Sequence, residues 1–275
     1  MRAPVSEQTV TVNAESLAIQ IAGWLKKRLD ESGARTFVLA LSGGIDSAVV
    51  CGLAAQGAGS DHVLGVIMPS ASNPDDAVEA AKVAAAFGVK SLTVELTSLA
   101  RSFHAAMPTE TALDALGMLP RANANIDGRR HLATANMRPR LRMTTLYYIA
   151  NMASGIVVGT GNKSEAMIGY FTKYGDGGVD LLPIIDLYKH EVRAVASHIS
   201  VPQSVIDRPP SAGLWQGQTD EDEIGLTYDQ LDRALTALES EDTSSIDQAV
   251  MERVQSLHEG SAHKRSPIPM FLKQT

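Results

Sequence analysis

Short apolar runs alternate with amphipathic stretches along most of the chain. Four apolar runs, each short enough for a buried strand, cover residues 36–41, 63–68, 92–96 and 156–159. Apolar residues recur at helical spacing over residues 15–30, 45–55, 74–87, 138–153 and 188–199. Strands that alternate with helices imply parallel crossovers. The pattern therefore predicts an α/β fold, a doubly wound parallel sheet with flanking helices.

Several of the predicted helices carry start signals. Asn73 followed by Pro74 favours a helix that begins there and ends near Gly88. The spacing of a capping box occurs at Asn162 with Glu165, at Thr227 with Gln230 and at Ser245 with Gln248. The last two pairs predict the two helices that close the chain, over about residues 227–258.

The remaining segments lack apolar periodicity. Residues 107–135 are irregular, with a loop expected at 123–128, and the Gly-rich residues 173–178 must form another loop. Residues 202–223 contain three prolines, two glycines and an acidic run at 220–223. This composition is typical of a mobile lid or a surface loop.

Composition adds a size and a charge to this picture. With 275 residues, 44% hydrophobic and 20% charged, the chain suits one large α/β domain, and we expect a single domain over residues 1–275. The net charge of −7 argues against a general nucleic-acid binder. No apolar run is long enough to span a membrane, and the N-terminal residues lack a signal-peptide pattern, so we expect a cytoplasmic location. The single cysteine, Cys51, lies in an apolar helical stretch and is predicted to be core.

The candidate chemistry is concentrated where the first apolar run ends. Residues 42–47, Ser-Gly-Gly-Ile-Asp-Ser, turn the chain from a buried strand into a helix. The first N–H groups of a helix have no internal partner, and glycine lets the backbone approach a ligand closely. Doubly wound sheets bind ligands at this edge. The segment therefore predicts an anion site, to which Ser42 and Ser47 add hydroxyl donors.

Asp46 is the unusual residue of this segment. A carboxylate repels phosphate unless a cation lies between them, so we predict that Mg²⁺ bridges Asp46 and bound phosphates. The alternative interpretation is a plain helix start with an acid in its first turn. The segment is neither the P-loop of kinases and GTPases nor a G-x-G-x-x-G fingerprint, because it lacks the residues that those motifs require.

Residues 42–47 resemble the pyrophosphate-binding motif of the N-type ATP pyrophosphatase superfamily, whose members adenylylate an oxygen and then transfer nitrogen or sulfur. Further strings resemble the bacterial ammonia-dependent NAD synthetase family, at residues 138–143, 159–165, 170–183 and 263–265. The resemblance spans about residues 36–270. It implies that ATP activates the nicotinate carboxylate of deamido-NAD (nicotinic acid adenine dinucleotide) as an adenylate and releases pyrophosphate. Ammonia then gives NAD and AMP.

The same resemblance implies an ATP site and a metal site. The expected ATP-binding residues are Ala40, Leu41, Ser42, Gly43, Gly44, Ile45, Asp46, Ser47, Thr160, Lys189 and Ser211. Ser211 stands where a relative has Thr, and its hydroxyl keeps the expected contact. Lys189 sits at a helix start, which is an unfavourable place for a cation and therefore favours phosphate binding. Asp46 and Glu165 are expected to hold Mg²⁺, although Glu165 also fits a plain helix cap.

The deamido-NAD site is expected to consist of Arg140, Tyr147, Tyr170, Lys173, Asp180, His263 and Lys264. Asp176 and Lys189 are the expected catalytic residues, with Asp176 accepting a proton from ammonium. Three alternatives stay open. Tyr147 also fits an ordinary helical core position, Asp176 fits an Asp-Gly turn, and Arg138 with Arg142 fits a solvated helix face.

The resemblance further implies a homodimer with the dinucleotide site at its interface. Glutamine-dependent relatives carry a glutaminase domain with a catalytic cysteine, and we expect no such domain here, because Cys51 lies within a helix. Ammonia is therefore expected to be free or delivered by a partner subunit. Two other functions remain open: another synthetase of the superfamily with a different acceptor, and a nucleotide sensor without chemistry. Asp46 and Glu165 argue against the sensor, which needs no metal bridge.

Overall fold

Four parallel strands form the sheet at the centre of the protein. The computed structural model describes residues 13–119, 126–211 and 218–273. The strands are β1 (Thr36–Ala40), β2 (Val63–Ile67), β3 (Lys90–Thr93) and β4 (Gly155–Val158), in the spatial order β3-β2-β1-β4. Each strand pairs in parallel with its neighbours. Because helices also pack on both faces of the sheet, the predicted α/β fold is confirmed.

The strand order reverses between β1 and β4. The chain moves outward from β1 to β2 and β3, and β4 then returns to the other side of β1, with Leu39 opposite Val158. Open α/β sheets bind ligands outside the carboxyl ends of their strands at such a reversal. The loops that follow β1 and β4 therefore lie side by side at the expected site.

Helices make up most of the remaining described chain. They are α1 (Ala14–Ser32), α2 (Ile45–Ala58), α3 (Pro74–Ala86), α4 (Thr97–Ala105), α5 (Glu110–Ala115), α6 (Ile126–Ala153), α7 (Lys163–Ile168), α8 (Lys189–His198), α9 (Gln203–Ile206), α10 (Asp220–Ile224), α11 (Tyr228–Glu239), α12 (Gln248–Gly260) and α13 (Ala262–Arg265). Within the described ranges, none of these helices combines the length and the apolar character needed to cross a membrane.

Apolar side chains cover each face of the sheet. On one face Phe37 and Leu39 belong to the cluster that joins the sheet to α1, α2 and α8. On the other face Val38 and Val66 pack with Leu146 of α6. Burial on both faces explains why β1 and β2 read as continuous apolar runs. A third apolar cluster joins α7, α11 and α12 beyond the carboxyl edge of β4.

Most of the predicted helix caps are present. The side chain of Asn73 accepts a hydrogen bond from the Asp75 N–H, and Thr227 forms its capping box with Gln230. The predicted capping box at Ser245 is wrong. Helix α12 begins at Gln248, and its cap is Asp247, whose carboxylate accepts from the second and third N–H groups of the helix. A carboxylate at this position also interacts favourably with the helix dipole.

Two predicted element bounds are wrong. β3 lies at Lys90–Thr93, earlier than residues 92–96, because its pairing with β2 places Lys90 opposite Leu64. Helix α6 begins at Ile126, so residues 126–128 are helical and the expected loop is wrong there, while residues 123–125 lie outside the described ranges. Residues 126–134 are mostly exposed, and they show no apolar stripe from which a helix could be predicted. Pro139 is buried inside α6, where proline is unusual.

Residues 202–223 are not one continuous loop. They include α9, whose Val205 is fully buried, and the start of α10, whose Asp220 is also buried. The prediction of a loop is therefore wrong for these two segments. Residues 212–217 lie outside the described ranges.

Cys51 gives a direct test of the packing around α2. The thiol is fully buried, as predicted, and burial raises its pKa to about 12. The Cys51 thiol then ionises at about pH 8.5 only in the unfolded chain. Ionisation stabilises the unfolded state, so the free energy of unfolding falls as pH rises above that value. We expect the native protein to resist a thiol-specific reagent at pH ~8–9 and to take up one equivalent after denaturation. Cys51→Ala provides the background, and rapid labelling of the native protein would contradict the packing.

Candidate active site at the carboxyl ends of β1 and β4

The turn after β1 has the shape expected of an anion site. Gly43 has φ +80°, and a Cβ atom there would lie 2.4 Å from the carbonyl oxygen of Asp76. A larger residue is therefore excluded both by backbone strain and by contact with α3. Gly44 precedes α2 without a side-chain cap, so the first N–H groups of the helix are left for a ligand.

The two serines of this turn have different roles. The Ser47 hydroxyl is buried, donates to the Gly44 carbonyl at 2.9 Å and lies 3.0 Å from the Ser42 hydroxyl. Ser42 is exposed and accepts the Gly44 N–H at 3.2 Å. Both serines therefore shape the turn, but only Ser42 is at its open side. The predicted residues Ala40 and Leu41 lead into the turn, and Ile45 begins α2.

Lys189 lies between the two carboxylates predicted to bind metal. Its Nζ atom is 2.6 Å from an Asp46 oxygen and 3.1 Å from a Glu165 oxygen, and the side chain is only 1% exposed. Asn162 donates to the other Asp46 oxygen at 2.9 Å. Its own side-chain oxygen caps α7 in the predicted capping box with Glu165. Three of the predicted site residues thus meet, and the lysine ammonium is the cation that they share.

Two residues of this cluster were not predicted. Tyr228 is 1% exposed, and its hydroxyl lies 3.0 Å from Asp220 and 3.2 Å from Glu165. Asp220 also accepts from the Tyr170 hydroxyl at 3.1 Å. In the sequence Asp220 is one acid in an acidic run. The spacing of Asp220 and Ile224, one helical turn apart, is the only signal that this acid faces inward.

The cluster carries an excess of negative charge. Asp46 and Glu165 contact one ammonium, and Asp220 is linked to Glu165 through the Tyr228 hydroxyl, so the four groups carry a net charge of −2 when all are ionised. Desolvation, opposed by Lys189 and assisted by the two other carboxylates, raises the pKa of Glu165 to about 7. Burial opposes the charge of Lys189, but Asp46 and Glu165 outweigh it and raise the pKa of Lys189 above its usual range. A further cation would relieve the excess.

Four of the seven residues expected to bind deamido-NAD, Arg140, Lys173, His263 and Lys264, come together at a second loop. Arg140 donates to the Lys173 carbonyl at 3.3 Å, and Lys173 donates to the His263 carbonyl at 2.7 Å. Lys264 donates at 2.7 Å to the carbonyls of both Gly169 and Phe171. These cations therefore join α6, residues 169–173 and α13.

Asp180 and Tyr147 meet beside β4. The Tyr147 hydroxyl donates to Asp180 at 2.8 Å, and the other Asp180 oxygen accepts the Val157 N–H at 2.9 Å. Burial and the Asp180 carboxylate raise the pKa of Tyr147 to about 12, so its hydroxyl stays a donor at neutral pH. Tyr147 is thus not only a core residue. Asp176 accepts the Thr172 N–H at 2.9 Å, a contact that fits the turn interpretation, and desolvation raises the pKa of its carboxyl group.

The remaining predicted residues lie at the margins. Thr160 is in the loop after β4, and Ser211 is exposed at the end of a described range. Arg142 does not lie on a solvated face, and that interpretation is wrong. Its guanidinium donates to the Met68 carbonyl at 3.2 Å and to the Ser72 hydroxyl at 3.1 Å, so it holds the turn that follows β2.

Comparisons with known proteins decide the family. A family model described as NAD synthase matches residues 17–268. The NH3-dependent NAD(+) synthetase of Alkaliphilus metalliredigens is 44% identical over 251 residues, which cover 91% of this chain and 96% of that protein. The chain belongs to the NAD synthase family. The predicted family is therefore confirmed. The NH3-dependent NAD(+) synthetase of Methanococcoides burtonii is also 44% identical, over 82% of this chain and 78% of that protein.

Solved structures of NAD synthase relatives agree with the fold. The NMN synthetase of Francisella tularensis matches with a TM-score of 0.79 and 31% identity, over 94% of this chain and 98% of that one. The NAD+ synthetase of Burkholderia pseudomallei matches with a TM-score of 0.67 and 28% identity, over 93% and 91%. Both likenesses extend over nearly the whole of each chain.

The buried position of Lys189 leads to a stability prediction. We expect Lys189→Met to lower the free energy of unfolding by about 2–4 kcal/mol, because it leaves two partly buried carboxylates without their cation. Lys163→Met is the matched control. Its ammonium pairs with Glu239 at 2.9 Å and with the exposed Asp186 at 3.3 Å, so we expect a loss of about 1 kcal/mol or less. Urea unfolding of both variants checks this, and equal losses would contradict it.

Proposed function

We propose that the protein is an ammonia-dependent NAD+ synthetase, which uses ATP to amidate deamido-NAD and forms NAD, AMP and pyrophosphate. One observation carries the proposal. The turn at residues 42–47 and the Asp46–Glu165 pair meet at the strand reversal of a chain that covers 96% of an NH3-dependent NAD(+) synthetase. The anion site fits a leaving pyrophosphate, and adenylylation is the reaction that requires one.

The first step joins a nicotinate carboxylate oxygen to the α-phosphorus of ATP, and the bond to pyrophosphate breaks. The open N-terminus of α2 and the exposed Ser42 hydroxyl support binding of the departing phosphates. Lys189, which stays charged, adds a positive charge beside Asp46. Thr160 and Ser211 are proposed to contact the rest of the ATP molecule.

Asp46 and Glu165 are the residues that would hold Mg²⁺. The donor set fits this ion, since it consists of carboxylate oxygens that already hold the Lys189 ammonium, and when both carboxylates are ionised they exceed its charge by one. Bound there, the ion would neutralise charge on the phosphates. Lys189 would then share the two carboxylates with the metal ion. Its ammonium would lie beside the ion that binds the phosphates, and this supports a role for Lys189 in phosphate binding.

The second step forms the amide. Ammonia attacks the carbonyl carbon of the acyl-adenylate, AMP leaves, and a proton passes to a base. Asp176 is proposed to accept a proton from ammonium, which the raised pKa of its carboxyl group supports. The basic groups of Arg140, Lys173 and Lys264 are proposed to bind the phosphates of the dinucleotide. The rest of the dinucleotide is proposed to contact Tyr147, Tyr170, Asp180 and His263.

A direct assay tests this function. We expect the protein to form NAD and pyrophosphate from ATP, Mg²⁺, deamido-NAD and ammonium. Asp46→Asn should lower kcat at least ~100-fold, as for loss of an electrostatic group at a developing charge. Asp229→Asn, which changes an exposed acid on α11, should leave kcat unchanged. A folded protein that releases no pyrophosphate with deamido-NAD would overturn the proposal.

The same assay includes a second acceptor. The likeness to the Francisella tularensis NMN synthetase favours a test with nicotinic acid mononucleotide, the carboxylic acid that corresponds to NMN. A higher kcat/KM for the mononucleotide than for deamido-NAD would show that the mononucleotide is the preferred substrate. Adenylylation would still be the chemistry. The NH3-dependent NAD(+) synthetases among the relatives favour the dinucleotide.

We also propose a homodimer. Tyr148 and Met152 are large exposed side chains one turn apart on α6, and Leu99 and Phe103 repeat this arrangement on α4, which packs against α6. Clusters of this kind mark interaction surfaces. The expected cytoplasmic location and the single domain over residues 1–275 remain predictions.

The proposed dimer is tested by mass. Light scattering should give twice 29.2 kDa for the native chain, and Met152→Glu should shift the mass towards the monomer. Ile19→Glu, an equally apolar but separate exposed position on α1, is the control and should remain dimeric. A native protein that is monomeric at micromolar concentration would contradict the proposal.

A further inference from the structure

Tyr228 places one hydroxyl group between two carboxylates in the interior. The hydroxyl lies 3.2 Å from Glu165 Oε1 and 3.0 Å from Asp220 Oδ2, and the side chain is almost fully buried. Its ring also faces the Lys189 ammonium, 4.7 Å from the ring centroid. The hydroxyl has one proton, so the two carboxylate oxygens share this single donor.

The contacts of Glu165 show what this hydroxyl does. One Glu165 oxygen, Oε2, faces the backbone N–H of Asn162 at 3.5 Å and completes the capping box of α7. The other oxygen, Oε1, faces both the Lys189 ammonium at 3.1 Å and the Tyr228 hydroxyl. The capping contact and Tyr228 therefore restrain opposite sides of the carboxylate, and Lys189 is the cation towards which it points.

Asp220 restrains Tyr228 in turn. Its second oxygen lies 3.1 Å from the Tyr170 hydroxyl, which shares its one proton between Asp220 and the closer Glu223 carboxylate, so Asp220 lies between two phenols. α10 and α11 are linked again where the Tyr228 N–H donates to Glu221 at 2.9 Å. Two residues of α10 therefore hold Tyr228: Glu221 binds its backbone N–H, and Asp220 binds its hydroxyl.

We infer that Tyr228, held by Asp220, is the positioning residue that aims Glu165 at the cation site. The inference rests on the proposed function only in taking Asp46 and Glu165 as the groups that hold a divalent cation. Groups that orient a metal ligand are worth on the order of 10–100-fold in metal affinity or activity. Tyr228 is the only described side chain, apart from Lys189, whose hydrogen bond to Glu165 Oε1 is seen.

Tyr228→Phe tests the inference by removing one oxygen atom and keeping the ring beside Lys189. The measurement is Mn²⁺ affinity, from the EPR signal of the full chain saturated with α,β-methylene-ATP, which cannot release pyrophosphate. We expect the affinity to fall ~10-fold. In turnover, the Mg²⁺ concentration at half-maximal rate should rise by the same factor, and kcat at saturating Mg²⁺ should return to within about threefold of the native value.

Tyr188→Phe is the matched control. Tyr188 is also buried, and its hydroxyl donates to the Glu239 carboxylate at 2.7 Å, outside the Asp46–Glu165 pair. We expect a similar loss of stability in urea and no change in Mn²⁺ affinity. An affinity within twofold of native in folded Tyr228→Phe would overturn the inference, and so would an equal loss in Tyr188→Phe.

Substitutions of Asp220 separate positioning from charge. Asp220→Asn keeps an acceptor oxygen for Tyr228, whereas Asp220→Ala removes it. We expect Mn²⁺ affinity to fall less in the asparagine variant than in the alanine variant. Equal losses would mean that the charge of Asp220 matters and its hydrogen bond does not, which would overturn the inference even if Tyr228→Phe fails to fold. A native protein that binds Mn²⁺ with the analogue but makes no NAD would overturn the proposed function alone.

Discussion

The buried ammonium of Lys189 is the group around which the site is organised. It lies between Asp46 of α2 and Glu165 of α7, so one side chain of α8 joins three helices. Moving such charges out of water is costly unless close partners compensate, and the compensation here is incomplete because Asp220 adds a third carboxylate. Uncompensated charge of this kind is a feature of functional sites. The protein holds an excess of negative charge where the proposed reaction requires a divalent cation.

The topology of the sheet allows this contact, since Lys189 and Asp46 are 143 residues apart in the chain. The strand reversal places the loops after β1 and β4 side by side, and α8 begins at Lys189, so a cation lies at the N-terminus of this helix. Asp232 of α11 resolves the conflict with the helix dipole. Its carboxylate accepts the His190 N–H at 3.0 Å and is held by Ser164, so a negative charge lies at the helix start while Lys189 turns away.

Local signals accounted for the parts of the protein in which neighbouring residues decide the structure. The apolar runs identified the sheet, and the 42–47 string identified the turn whose Gly43 needs a positive φ. The inward position of Tyr228 and Arg142 could not be predicted in the same way. Tyr228 follows a capping residue, and Arg142 belongs to a basic string that is equally typical of a solvated face. Their roles depend on partners from distant elements, and no local pattern records these.

The proposed dinucleotide loop is also organised by charged side chains, but here they are cations that bind backbone carbonyls. Lys264 has three N–H donors, of which two serve the carbonyls of Gly169 and Phe171. Lys173 and Arg140 likewise donate to backbone carbonyls, of His263 and of Lys173 itself. The cations expected to meet the substrate phosphates therefore first shape the loop that presents them. Since part of the ordering cost is met before any ligand arrives, this half of the site is prepared for binding. The carboxylate cluster, by contrast, already holds a cation of the protein itself, the Lys189 ammonium.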